Sequence, residues 1–496
     1  MLSNAADTYL NPVESSKIEP SEKISGNDRD DETSEEVSEV YIDPVLQKRI
    51  LRKLDTRLAP LFCALYFLSY LDRSNIGNAA IAGLNEQLNL SGAQYSTAVS
   101  VFFATYVSAI FPLVLALRKI KTHRGITFMA AAWAIVTIGT AFVKSYGALI
   151  ACRLILGLCE AGFFPCISLY ITMVYNRKEQ GLRFAYLFAA TSFSGMFGGL
   201  IATGITKIGE AGGLRSWSWL YIVEGLISLL IVPFVWYGLP EKPADAKWWT
   251  PEEREAMLIR EQQRLEYMGR EKFDWTQVRS ALKEWRVYTG ALIQFFQDII
   301  LYGFSTFLPS ILRNGLGYSR MEAQYLSVPV YLLGGISFFT AATIGDKYGL
   351  RGSVLLFLDI FAVIGYALLV ASDSNAVKYA ACYLIALPLY CGPGLNETWI
   401  VNNTAPHYRR ATALGLSQAI GNIAGVVAPQ VYRKSPYMLG HWSSLGSALI
   451  SMALISVQLV YYKIQNTKKD KISRGEREDD RKGTTGEENL DFRYVY

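Results

Sequence analysis

The chain has 496 residues, of which 51% are hydrophobic and only 18% are charged, and its formal net charge is +5. The charged residues crowd into the two tails and one central stretch, which is the distribution of a polytopic membrane protein. The basic residues form short clusters beside apolar runs and no basic patch with base-stacking aromatic residues, which argues against a nucleic-acid partner.

The first segment, residues 1–47, is rich in Ser, Glu and Asp and has little apolar surface to bury. We expect it to be a disordered acidic tail on the cytosolic side. The six cysteines all fall inside apolar segments and lack the spacing of zinc ligands. We therefore expect no disulfide, no metal and no cofactor.

Twelve apolar segments follow, each about 20 residues long and able to cross a bilayer as a helix. They lie at 58–80, 96–117, 125–142, 147–172, 183–206, 217–239, 287–312, 323–345, 352–371, 377–400, 412–432 and 441–462. An even number of spans puts both termini on one side, which argues against a seven-span receptor. Lys and Arg cluster at 47–57 and 118–124, whereas the first loop, 81–95, has neither. The positive-inside rule therefore predicts cytosolic termini.

A hydrophilic stretch divides the spans into two sets of six. We predict an all-α membrane protein of two six-helix bundles, with the first bundle at 48–240, a cytosolic linker at 241–286, the second bundle at 287–463 and a cytosolic tail at 464–496. In the linker, Thr250 followed by Pro251 has the pattern of a helix start. The neighbouring Trp248 and Trp249 suggest that this helix lies at the membrane interface.

The first span carries an acid and a base, Asp72 and Arg73, within apolar sequence. Each ionised group at a helix centre costs roughly 2.5 to 3.5 kcal/mol, so such residues usually face a polar cavity or one another. The planar fork of Arg73 can hold both oxygens of a carboxylate, and we expect it to anchor an anion. Asp72 is a candidate proton carrier. Alternatively, both residues only pair with neighbouring helices and hold the bundle together.

In the fourth span, Arg153 and Glu160 are seven residues apart, which places them on one helical face. Glu160 is a second candidate for loading and releasing a proton, with Arg153 as its partner. The alternative is an ion pair that only packs the bundle.

Amide side chains in the spans could complete a substrate site. The candidates are Asn75 in the first span, Gln294 and Gln297 in the seventh, Asn396 in the tenth, and Gln418 and Asn422 in the eleventh. Small polar residues also tie membrane helices together, so a structural role stays open. Four acids without a partner in the sequence are interpreted as structural or interfacial, although Asp298 and Glu397 could also line the cavity: Glu224, Asp298, Asp359 and Glu397. Several aromatic residues could stack on an aromatic acid: Phe102, Phe103, Tyr106, Phe163, Phe164, Phe295 and Phe296.

Several motifs resemble those of the major facilitator superfamily. The loop from Gly345 to Arg351 resembles its cytosolic loop motif, and Arg153 with Gly157 resembles its span-four motif. The segments 71–79 and 156–165 are similar to the anion:cation symporter family. The runs FFATYV, YIVEG and RRATALG and the ending FRYVY are similar to its fungal nicotinate-permease branch.

The resemblance implies two bundles that alternate access to a midplane site. It also implies that the anion binds at Arg73 and that protons bind at Asp72 and Glu160. Ion-pair and gating roles are implied for Arg153, Asp346, Lys347 and Arg351.

We therefore predict a proton-coupled symporter that imports a small organic anion, such as nicotinate or a related monocarboxylate or vitamin. We expect a monomer in the plasma membrane that has no enzymatic activity, and whose partners are its substrate, protons and the lipid bilayer. Two alternatives stay open: an exporter of an acidic metabolite, and a nutrient sensor that binds an anion without moving it. The fifth span lacks the Gly-Pro pair of many superfamily antiporters, which counts against export.

Overall fold

The structure is a computed structural model that describes residues 42–117, 122–269, 275–405 and 407–476, together with Glu478, Glu487, 489–490 and 492–496. Most of the predicted N-terminal tail and residues 118–121 of the basic loop after the second span lie outside these residues. So do parts of the predicted linker and of the C-terminal tail.

Twelve helical stretches in the described residues follow the twelve predicted spans, and we number them spans 1 to 12. Their bounds are Ala59–Ala79 continued by Ala80–Leu84, Gly92–Leu117, Thr122–Thr140, Tyr146–Ala161 with Phe163–Val174, Arg177–Thr206, Ser216–Gly238, Trp285–Ser310 with Ile311–Gly315, Arg320–Tyr348, Arg351–Ala371, Asn375–Leu389 with Cys391–Asn402, His407–Val431, and Met438–Ser473. By length and composition, eight helices among the described residues could cross a membrane. The predicted all-α, polytopic fold class is confirmed.

Six further helices of the described residues lie outside the spans. They are Pro44–Arg57 before span 1, Asn85–Gln87 and Ala211–Gly213 in loops, and Pro243–Asp245, Pro251–Gly269 and Trp275–Lys283 in the linker. The linker helix begins at the predicted place, because the Thr250 hydroxyl accepts from the Glu253 amide and the Glu253 carboxylate accepts from the Thr250 amide. Lys53 donates to the same carboxylate over 2.6 Å. Burial alone would raise the pKa of Glu253, but these donors hold it below its usual value.

The two sets of six spans meet on the side of the first loop. The Ser100 hydroxyl donates to the Val426 carbonyl over 2.8 Å, and Arg313 donates to the Ile81 carbonyl over 2.7 Å. A β-carbon on Gly77 would lie 2.5 Å from the Thr306 carbonyl oxygen, so spans 1 and 7 approach closely there. The halves are therefore closed against each other at this side.

The end of the chain packs against the linker-side ends of the second-half spans. The Asn403 side chain exchanges hydrogen bonds of 2.7 and 2.9 Å with the backbone of Val495, and Asn466 does the same with Tyr494 at 2.9 Å each. The Tyr494 ring stacks on Tyr462 with ring centres 4.8 Å apart. The last residues of the predicted C-terminal tail thus connect spans 10 and 12.

We expect deletion of residues 492–496 to lower the melting temperature of the purified protein by several degrees. The deletion leaves the buried side chains of Asn403 and Asn466 without these partners, and each unsatisfied polar group costs about 1 to 3 kcal/mol. Arg493→Ala is the control, because its ion pair with Asp470 is exposed and such pairs contribute about 0 to 1 kcal/mol. Equal melting of the deletion and the control in the same detergent would contradict this role of the tail.

Candidate functional site

Two cavities lie between the halves, and Arg73 lines both. The outer cavity lies nearer the first loop, and the inner cavity lies nearer the linker. The residues that both cavities share are Tyr70, Arg73, Thr191, Leu301, Tyr302 and Tyr390. The inner cavity adds a set of polar side chains: Gln294, Asp298, Glu397, Gln418 and Asn422. This position makes Arg73 the cation of the candidate site.

Arg73 forms an ion pair with Glu160, which joins span 1 to span 4. Its Nε donates to Oε2 of Glu160 over 2.7 Å, and the Ser69 hydroxyl donates to the same oxygen over 2.9 Å. The guanidinium carbon lies 4.7 Å from the ring centre of Tyr106 and 4.8 Å from that of Tyr70, which adds cation–π attraction. Glu160 engages Nε, and within the described part of the chain no hydrogen bond is formed by the two terminal nitrogens, which are therefore available to a ligand.

Asp72 lies behind the cavity wall and lines neither cavity. It is 2% exposed, and among the described residues neither carboxylate oxygen accepts a well-formed hydrogen bond. The Thr137 hydroxyl, Arg153 and Glu224 lie nearby. Asp72 is therefore separated from any ligand that touches Arg73.

Two further contacts connect spans 1, 4 and 6 behind the cavities. Asn75 donates a hydrogen bond to Glu224, and the Arg153 guanidinium donates to the Tyr221 hydroxyl over 3.1 Å. Tyr221 and Glu224 belong to the YIVEG run of span 6. Asn75 thus faces another helix and lines neither cavity.

Charge counting among the described residues of spans 1, 4 and 6 indicates a place for one proton. These spans bring together three carboxyl groups and two guanidinium groups, those of Asp72, Glu160 and Glu224 and of Arg73 and Arg153. Fully ionised, they carry a formal charge of −1, and one bound proton makes them neutral. Since an uncompensated charge at membrane depth is costly, the cluster suits a group that gains and loses a proton.

The structure brings only some of the predicted substrate residues to the cavities. Arg73, Gln294, Gln418 and Asn422 line the inner cavity, whereas Asn75, Gln297 and Asn396 line neither. Gln297 donates to both carboxylate oxygens of Asp359 over 2.9 Å each. Asn396 donates to the Gln294 side chain over 2.9 Å. The amides of Gln297 and Asn396 thus connect helices in the second half.

The sequence pattern pairs Glu160 with Arg153, but the structure pairs it with Arg73. A spacing of seven residues correctly places Arg153 and Glu160 on one face of span 4, and both are buried. The partner of each is decided by the neighbouring spans, which bring Arg73 to Glu160 and Tyr221 to Arg153.

The loop after span 8 contains the ion pair that its motif suggests. Arg351 donates to the Asp346 carboxylate, and Lys347 lies 5.3 Å from the ring centre of Tyr348. Gly349 ends the helix at φ 65°, a left-handed conformation that favours glycine. Whether these residues gate one conformation stays a prediction.

The sequence leaves open whether Asp298 and Glu397 line the cavity or have a structural role, and the structure places both at the inner cavity with Tyr302. A signal was present in span 7: Gln294, Asp298 and Tyr302 recur every four residues and therefore share one helix face. In span 10, Pro393 and Glu397 have the same spacing. A spacing of four residues therefore groups Gln294, Asp298 and Tyr302 on the face of span 7 that lines the inner cavity.

Three of the predicted stacking residues reach a cavity. Tyr106 and Phe164 line the inner cavity, and Phe103 lines the outer one. Phe163 instead packs on Trp133, with ring centres 4.7 Å apart. The inner cavity therefore has aromatic walls beside its polar groups.

Gly157 permits the close crossing of spans 2 and 4 that positions Glu160. A β-carbon there would lie 2.3 Å from the Phe102 carbonyl oxygen. We expect Gly157→Ala to push the spans apart and to lower the melting temperature, because overpacking typically costs about 1 to 3 kcal/mol. Gly139→Ala is the control, since its β-carbon would meet nothing within 4 Å. Equal melting of the two variants would contradict this account.

Comparison with known families and sequences places this chain among transporters. The profile of the major facilitator superfamily matches residues 62–429. An uncharacterized transporter of Schizosaccharomyces pombe is 51% identical over 468 residues, which cover 93% of this chain and 97% of the relative. The high-affinity nicotinic acid transporter of Saccharomyces cerevisiae is 37% identical over 465 residues, which cover 91% of this chain and 85% of the relative.

Solved structures share the fold at low sequence identity. The D-xylose-proton symporter has a TM-score of 0.63 at 15% identity, with 80% of this chain and 96% of that chain covered. A bacterial homologue of the human lysosomal transporter Spinster, in an inward-facing and unoccupied conformation, has a TM-score of 0.62 at 15% identity, with coverages of 84% and 97%. These relatives and neighbours are transporters rather than enzymes, which agrees with the expectation from the sequence.

Proposed function

The chain belongs to the major facilitator superfamily and is a membrane transporter, and from this premise we propose that it imports a nicotinate-type monocarboxylate together with protons. The observation that carries the proposal is the Arg73–Glu160 ion pair at the wall of both cavities. Aromatic side chains around the inner cavity and the 37% identical nicotinic acid transporter support an aromatic acid as substrate.

Coupling follows from competition for one guanidinium group. The carboxylate of the substrate and that of Glu160 both bind Arg73, and Glu160 already occupies its Nε. Protonation of Glu160 removes the negative charge that competes with the substrate carboxylate. The Arg73 guanidinium then pairs with the substrate alone. Binding a proton and an anion together leaves the net charge of the site unchanged. At membrane depth this costs less free energy than binding the anion alone.

Asp72 has an indirect role in this scheme. It lies behind Arg73, beside Arg153 and Glu224, and lines neither cavity. We assign it to the buried charge cluster around Arg153 and Glu224, with Glu160 as the group that takes up and releases the proton with the ligand. Asn75 holds Glu224 in this cluster.

Transport then requires the halves to separate on the first-loop side. The Ser100 and Arg313 hydrogen bonds would break there, and the Asp346–Arg351 loop would close the opposite side. Both termini are assigned to the cytosol, and the plasma membrane is the proposed location. One chain supplies both halves of the site, so a monomer is sufficient.

The proposal is tested by uptake of radiolabelled nicotinate into cells that lack their own nicotinate transporter. We expect faster uptake at about pH 5 than at about pH 7.5, and loss of accumulation when a protonophore removes the gradient. Uptake whose rate and extent depend neither on the pH nor on the protonophore would contradict symport. Binding without any uptake would instead favour a nutrient sensor.

A further inference from the structure

The inner cavity contains two carboxyl groups that the proposed coupling does not use. Asp298 of span 7 is 3% exposed and Glu397 of span 10 is 8% exposed, and both line the cavity. Asp298 accepts hydrogen bonds from the Gln294 amide over 3.2 and 3.3 Å, and Glu397 accepts one from the Gln418 amide. Within the described residues, neither acid forms an ion pair with a Lys or Arg side chain.

These amide partners supply hydrogen bonds but no positive charge. Asp298 and Glu397 line the same cavity, so negative charges on both would repel each other. Carboxyl groups without a cation at membrane depth are costly and mark a place where a ligand supplies the missing charge or hydrogen-bond donor. Since both acids line a cavity, such a ligand has room to reach them.

The cation that lines the same cavity is Arg73. Tyr302 lines it together with Arg73 and Asp298. The Tyr302 hydroxyl donates to the Asn422 side chain over 3.0 Å, which fixes the ring in the wall. The cavity thus offers a cation from the first half, acids from the second and an aromatic residue in its wall.

We propose that the inner cavity selects monocarboxylates that carry a protonated or hydrogen-donating nitrogen away from the carboxylate. Arg73 holds the carboxylate, and Asp298 with Glu397 receives the N–H group. A dicarboxylate is rejected because its second carboxylate would face two carboxyl groups. This inference rests on the proposed function, since it names the substrate class of the same site.

The test is competition against radiolabelled nicotinate at acidic pH, where the pyridine nitrogen can carry a proton. The unlabelled competitors are nicotinate, benzoate, which lacks the ring nitrogen, and isophthalate, which has a second carboxylate. We expect benzoate to need at least about tenfold higher concentration than nicotinate for half inhibition, because the acids lose their donor. Isophthalate is expected to be weaker still. Benzoate as effective as nicotinate on the wild-type protein would overturn the inference without any variant.

Two variants assign the effect to the acids. Asp298→Asn and Glu397→Gln keep the size of each side chain and remove its charge, and we expect the preference for nicotinate over benzoate to fall to within about threefold. Asp359→Asn is the matched control, a buried acid of the same half that bonds Gln297 and lines neither cavity. An unchanged preference in both variants, measured at equal surface expression, would overturn the inference.

The competition experiment separates this inference from the proposed function. Absence of labelled nicotinate uptake contradicts the function itself. Normal, proton-dependent uptake with equal inhibition by benzoate leaves the function intact and removes only the selectivity. A preference that survives Asp298→Asn and Glu397→Gln while the pH dependence changes would make these acids proton sites and would also overturn the inference.

Discussion

Arg73→Ala is expected to abolish nicotinate uptake while the protein still reaches the membrane. The substitution removes the cation that lines both cavities and that also pairs with Glu160. Truncating one partner of a buried charge pair costs about 2 to 5 kcal/mol, so we expect at least about thirtyfold lower uptake at low substrate concentration. The measurement is initial uptake normalised to the amount of protein at the cell surface.

Two companion variants separate anion binding from packing. Arg73→Lys keeps the charge but loses the planar fork, and we expect partial uptake. The double variant Arg73→Ala with Glu160→Ala removes both members of the pair, so it should restore the amount of folded protein if Arg73→Ala leaves Glu160 uncompensated. It should not restore uptake. Uptake near the wild-type rate in either alanine variant would remove Arg73 as the anion anchor.

Glu160→Gln is expected to uncouple nicotinate movement from protons. Ser69 and Arg73 donate to Oε2 of Glu160 at 2.9 and 2.7 Å, and the side-chain oxygen of glutamine can still accept these hydrogen bonds. Glutamine does not titrate, however, so it cannot take up and release a proton as the glutamate can. We expect the ratio of uptake at about pH 5 to that at about pH 7.5 to fall to about 1, with exchange of nicotinate across the membrane retained.

Asp359→Asn is the control for this variant, because it also neutralises a buried acid but lies outside both cavities. It should keep the pH dependence of the wild-type protein. Accumulation against a gradient by Glu160→Gln, at the wild-type level, would exclude Glu160 as the coupling group. The role would then pass to Asp72 or Glu224, the other carboxyl groups of the cluster.

The span count and the position of Arg73 could be predicted from the sequence because both rest on local signals. Apolar length identifies a membrane helix, and a base within an apolar run is costly wherever the helix packs. The Arg73–Glu160 pair could not be predicted, since its members are 87 positions apart in the chain and meet only through packing of spans 1 and 4. The same packing sends Arg153 to Tyr221.

The second set of six spans shows a further limit of prediction from sequence, namely which side of a helix faces the cavity. Asp298 and Glu397 were named as residues that could line the cavity, but a structural role was preferred because no partner stood near them in the sequence. The end of the chain was predicted only to be a cytosolic tail. Composition cannot reveal that the backbone of Val495 meets the Asn403 side chain, or that Glu487 is buried beside Arg286.

The central claim is that one proton on Glu160 accompanies one anion on Arg73. The most direct test uses purified protein in liposomes that contain a pH-sensitive dye, with nicotinate added outside and no other gradient. The account predicts internal acidification together with nicotinate uptake by the wild-type protein, and no acidification by Glu160→Gln, whose retained exchange is measured in liposomes preloaded with nicotinate. Equal proton movement in both proteins, or nicotinate uptake by the wild-type protein without acidification, would contradict it.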